Sequence, residues 1–163
     1  GMYMLNLRVF EFKKLLFFSV LTLISTKLIT TIYIFIHNSM MSRQWPYSLV
    51  FRNQNIEKTI DNLLSPLVFA PILETIVFCV LISYLCKKIN LTGIYFVLIS
   101  AVLFGSYHLF QVGSGWYRFT FTFIAGVIFA YCYYKQEKKH GINTAFLFTI
   151  CVHSLSNALN AFI

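Results

Sequence analysis

The stretch SPLVFAPILETIVFCVLISYLC, residues 65–86, decides the fold. It is apolar nearly end to end, opens with two prolines, Pro66 and Pro71, and carries a single carboxylate, Glu74, near its middle. A membrane-spanning helix needs about 20 predominantly apolar residues, and this run supplies them. An ionised carboxylate at that depth costs several kcal/mol even after the surroundings relax, so Glu74 calls for a reason of its own.

The rest of the chain has the same character. Of 163 residues, 58% are hydrophobic, 18% aromatic and only 11% charged, a balance that no water-soluble domain of this size could cover with polar surface. Four further apolar runs lie near residues 15–36, 91–110, 118–134 and 142–163. Backbone groups in lipid must be satisfied within a helix or a closed barrel, and none of the runs alternates with the period of two that a barrel needs. The expected fold is all-α: a polytopic membrane bundle of about five transmembrane helices. Residues 37–62 mix Trp45, Tyr47 and Phe51 with scattered charges, which suits an interfacial helix or loop. Residues 2–163 read as a single membrane domain, with Gly1 before Met2 taken as a tag remnant.

The formal charge of +8 does not indicate a nucleic-acid partner, because the 13 Lys and Arg residues mostly flank the apolar runs. That placement belongs to topology determinants and to contacts with anionic lipid. With five spans, Arg8, Lys13, Lys14, Lys87, Lys88, Lys135, Lys138 and Lys139 fall on the side of the N-terminus, against Arg43, Arg52, Lys58 and Arg118 on the other. The expected localisation is therefore the cell membrane, multi-pass, of bacterial plasma-membrane type, with the N-terminus cytoplasmic. Cys79, Cys86, Cys132 and Cys151 all lie within apolar runs and show no metal-binding spacing, so they read as packing residues.

Ionisable residues inside spans are functional candidates by default, and here they are Lys27, Glu74, His108 and His153. Lys27 reads as a snorkelling side chain or the mark of a tilted helix. His37 and His140 sit at span ends and are expected to be solvated. Pro71 frees a backbone carbonyl one turn before it, which opens a route for water or a side chain at membrane depth. His108 follows Phe104 by four residues, and Asn157 follows His153 by four, so each pair shares one helix face. Any of these groups alone could be an interhelical hydrogen-bonding residue. Together, an acid, two imidazoles and an amide on three helices suit a hydrolytic site; Glu with two His also suits zinc, and buried Glu and His suit a proton relay or small channel.

At these residues the sequence resembles the CPBP family, the CAAX-protease and bacteriocin-processing (Abi) intramembrane proteases. Their pattern is EExxxR, usually introduced by API, then FxxxH, then HxxxN or HxxxD. APILETIVFC carries the first around Glu74, SAVLFGSYHL gives Phe104 and His108, and CVHSLSNAL gives His153 and Asn157, so that the resemblance spans residues 60–163. It implies a glutamate-dependent endopeptidase acting on a peptide or membrane-associated precursor. Glu74 with His108 would hold and deprotonate the attacking water, His153 and Asn157 would donate to the oxyanion, and no metal or other cofactor is expected. The chain departs from the pattern where Thr75 stands for the second Glu, Cys79 for the Arg and Val80 for a frequent glycine. Positions four apart share a face, and breaking a buried ion pair by removing one partner costs about 3–5 kcal/mol, whereas losing both can be neutral. The paired loss points to a structural role for that pair and leaves Glu74 as the minimal acid. The competing reading is a non-catalytic protein of the same fold, for bacteriocin immunity or regulation of a membrane partner.

Overall fold

The computed structural model describes residues 12–41, 64–109 and 115–162, and shows helices and no strand among them. The helices are α1 (Phe12–Met41), α2 (Ser65–Lys88), α3 (Ile94–Leu109), α4 (Gly115–His140) and α5 (Ile142–Phe162). The interfacial segment expected over 37–62 continues α1 as far as Met41, and from Ser42 onward it lies outside the described residues, with Arg43, Arg52 and Lys58.

Among the described residues three helices are long and apolar enough to cross a membrane by themselves, over Phe12–Tyr33, Ser65–Lys88 and Ile142–Ala161. The third run is shorter as a helix than as a sequence: α3 has 16 residues, because Leu91–Gly93 are spent on the turn that leads into it. At 1.5 Å per residue α3 reaches about 24 Å, less than the roughly 30 Å of a hydrocarbon core. The fourth run continues past residue 134 through Lys135, Lys138 and Lys139 to His140. His140 is half-buried with its Nε2 enclosed, contrary to the expectation of a solvated ring.

The interior is hydroxyl-rich and the exterior apolar, as expected of a bundle in lipid. On α1, Ser19, Thr22 and Thr26 are buried at 0%, 2% and 1% exposure, while Phe12, Phe17, Ile24, Leu28 and Phe35 face outward. Each hydroxyl satisfies itself on its own helix: Ser19 donates to the Leu15 carbonyl, Thr22 to Phe18 and Thr26 to Thr22. Such residues let helices approach closely where no hydrophobic effect operates between them. Lys27 lies on the outward side of α1, outside the cavity described below.

Two turns fix the helix order. α2 closes with Asn90 at φ 58°, where Leu91 N–H donates to the Cys86 carbonyl at 2.8 Å and Asn90 N–H to Lys87 at 3.2 Å, the paired bonds of a Schellman cap. Gly141, at φ 85°, alone separates α4 from α5, and its N–H donates to the Glu137 carbonyl at 3.0 Å. Close approach of α3 and α4 depends on Gly126, where a Cβ would stand 3.1 Å from the Ala101 Cα and from Phe104 Cδ1. The four cysteines are free and at least half-buried, in agreement with a packing role.

Candidate active site

Helix α2 is not a regular α-helix. Ser65–Phe69 and Thr75–Leu81 are π-helical, and between them the α-helical piece Ala70–Glu74 presents the carboxylate. π-helical segments are rare and concentrate at functional sites. In the first of them the Ala70 N–H reaches back to the Ser65 carbonyl. The next rung of that ladder would join residue 71 to the Pro66 carbonyl, but Pro71 has no N–H to give. Asn157 of α5 supplies the missing donor, its Nδ2 lying 2.8 Å from the Pro66 oxygen. Proline does free a carbonyl here, as the sequence suggests, and Asn157 takes it.

The three ionisable residues meet across α2, α3 and α5. Glu74 Oε1 lies 3.6 Å from His108 Nε2, and Glu74 Oε2 lies 3.4 Å from His153 Nε2. Both imidazoles are buried, at 7% and 4% exposure. His108 is oriented by its own helix: Nδ1 is 2.9 Å from the Phe104 carbonyl, which can only accept, so the proton sits on Nδ1 and Nε2 turns toward Glu74. The Phe104 ring completes the FxxxH unit, packing edge-on against His108 at 4.5 Å and His153 at 5.9 Å between centroids.

Two residues that the sequence does not single out for the site complete it. Phe129 of α4 stacks on His153 at 4.2 Å and 26°; one aromatic in an apolar run carries no signal of that role. Arg118, read from sequence as a topology determinant, lines the same cavity as Glu74 and His108. That cavity has a volume of about 620 Å³, and Thr22, Thr26, Thr122, Ser156, Asn157 and Asn160 give it polar walls. Ser65 and Pro66 at the start of α2, His108 at the end of α3, Arg118 near the start of α4 and Ala161 near the end of α5 place it at one end of the bundle. Lys14, Lys87, Lys88, Lys138 and Lys139 sit at the helix ends opposite.

Behind Glu74, Thr75 and Cys79 are buried at 2% and 3% exposure between α2, α3 and α4. Cys79 sits beside Ser100, whose Oγ donates to the Phe78 carbonyl at 2.5 Å. Thr75 Oγ1 is buried with no partner. No ion pair joins positions 75 and 79; neutral packing stands there. Among the described residues no group of three His, Cys, Asp or Glu side chains has the arrangement to hold a metal ion.

A family model described as Rce1-like, type II CAAX prenyl endopeptidase, matches residues 57–159, a span that contains Glu74, His108, His153 and Asn157. No curated protein and no solved structure matches the chain. With outward-facing apolar helices, a polar interior and a family match over well over half its length, the chain is a multi-pass membrane protein and belongs to the Rce1-like family of type II CAAX prenyl endopeptidases.

Proposed function

We propose that the chain is an intramembrane endopeptidase that cleaves a peptide or membrane-associated precursor with water activated by Glu74 and His108. One observation carries this reading: each oxygen of the Glu74 carboxylate faces one imidazole, inside a cavity open at one end. The separations of 3.6 and 3.4 Å are too long for strong direct hydrogen bonds. A water about 2.8 Å from both Glu74 Oε1 and His108 Nε2 fits the wider gap and donates one hydrogen to each. Glu74 takes a proton as the water oxygen bonds to the substrate carbonyl carbon. His153 Nε2–H and the second N–H of Asn157 donate to the oxygen that becomes negative. The amide C–N bond then breaks, and Glu74 returns its proton to the leaving amine. Preorganised donors at a developing oxyanion are worth roughly 10²–10³ in rate apiece.

No step in this scheme requires a metal, and activity is expected to survive strong chelation. The excess of basic residues on the N-terminal side, eight against four, supports a cytoplasmic N-terminus, and with it a cavity opening toward the outer face of the membrane. The decisive experiment co-expresses the chain with candidate precursor peptides and compares wild type, Glu74→Gln and His108→Ala by mass spectrometry. Loss of all fragments in Glu74→Gln is the expected result; cutting at the wild-type rate would refute the mechanism. A phenotype that depends on Glu74 with no precursor cut would favour the non-catalytic alternative instead.

A further inference from the structure

Arg118 is a part of the site that the proposed mechanism leaves unused. It lines the same cavity as Glu74 and His108, and among the described residues it is the one lysine or arginine that does so. Its side chain is exposed and its charge reaches both of those groups. It nevertheless forms no ion pair with a described residue: the Glu74 carboxylate is turned to the two imidazoles, and Glu137, toward the far end of α4, is paired with Lys87. Helix stability does not explain the position either. Arg118 stands in the first turn of α4, which holds no acidic residue, and a cation at a helix N-terminus is set against the macrodipole.

The rest of the polar wall suits uncharged peptide. Thr22 donates to the Phe18 carbonyl, Thr26 to Thr22, Thr122 to Arg118 and Ser156 to Val152, so these hydroxyl protons are held within their own helices and the oxygens are left to accept from backbone N–H groups. Asn160 likewise gives an Nδ2–H to the Ser156 carbonyl. A carboxylate brought into the cavity finds its one permanently charged donor at Arg118, whose planar fork of N–H groups matches it with two parallel hydrogen bonds. The cavity, at about 620 Å³, has room for a short peptide segment, since sites that enclose a drug-sized ligand run from about 300 to 1,000 Å³. Building on the peptidase reading, we infer that Arg118 is a specificity-determining residue that grips a carboxylate of the substrate, supplied by an acidic side chain or a free C-terminus close to the scissile bond.

The test measures binding rather than cleavage, so that it stands apart from the fate of the water mechanism. Full-length wild type and Glu74→Gln in mild detergent are each offered two libraries of N-acetylated, randomised heptapeptides, one ending in a free carboxylate and one in an amide, and the retained peptides are sequenced by mass spectrometry. Carboxylate-bearing peptides are expected to be enriched about tenfold over neutral ones, as one charge-assisted pair supplies. Enrichment of Asp and Glu in the amidated library assigns the carboxylate to a side chain; enrichment confined to the free-acid library assigns it to the C-terminus. Arg118→Gln is expected to lose the preference and Arg118→Lys to keep part of it. Arg118→Glu is expected to reverse it in favour of peptides containing Lys or Arg, a gain that a misfolded protein cannot show. Retention without any preference for a carboxylate, no retention at all, or a preference that survives Arg118→Gln would overturn the inference. So would loss of bound phosphatidylglycerol in Arg118→Gln with peptide selection unchanged, which would assign the arginine to the membrane surface. If the preference is found while Glu74→Gln still cuts, the water mechanism fails and the assignment of Arg118 stands.

Discussion

Asn157 serves the site through a backbone contact as much as through any contact with substrate. Its Nδ2 donates to the carbonyl that the proline at position 71 leaves without a rung, and so fixes the opening of α2 to α5. The bond is solvent-accessible, and a hydrogen bond of that kind contributes about 0.5–1.5 kcal/mol net. Asn157→Ala is therefore expected to lower the melting temperature in detergent as well as cleavage, which a residue acting only on the transition state would not do. Thr75 predicts the opposite sign. Its Oγ1 is buried without a partner, beside a void of about 10 Å³, at the bottom of the range that admits a water. Thr75→Val keeps the shape and removes the unsatisfied hydroxyl, so it is expected to stabilise the protein by about 1 kcal/mol with cleavage unchanged, as read from thermal unfolding and fragment yield.

At the scale of helices, the geometry of the site rests on how closely α3 approaches α4. A branched side chain at position 126 would press on the Ala101 backbone and on Phe104, the residue that orients His108 through its carbonyl and packs on both imidazoles. Overpacking of this kind costs about 1–3 kcal/mol, and Gly126→Val is expected to lower both thermal stability and cleavage. The helices themselves, and the acid, imidazole and amide positions on them, were legible from apolar run length and four-residue spacing. The irregularity of α2 was legible only in part. Two prolines announce a disturbed helix, but which carbonyl is left over depends on whether the backbone adopts the α or the π ladder, and that is settled by packing against α5. The roles of Phe129 and Arg118 were hidden for a simpler reason: each is one residue whose neighbours come from other helices.

At the scale of the whole molecule, the cavity that holds Glu74 and the lysine-rich end lie at opposite ends of the bundle. In a background lacking the four native cysteines, a membrane-impermeant thiol reagent applied to intact cells is expected to label Asn160→Cys and spare Lys138→Cys; the reverse pattern would invert the proposed orientation. The site also draws on residues far apart in the chain, since the contact between Asn157 and Pro66 spans 91 positions. That separation has a consequence for biogenesis. During translation α2 enters the bilayer well before α5 has been synthesised, so the carboxylate of Glu74 must wait in the membrane with one of its two imidazole neighbours still missing and the Pro66 carbonyl unfilled. Under the proposed function, the site is incomplete until α5 docks, so cleavage is expected only from the fully assembled bundle.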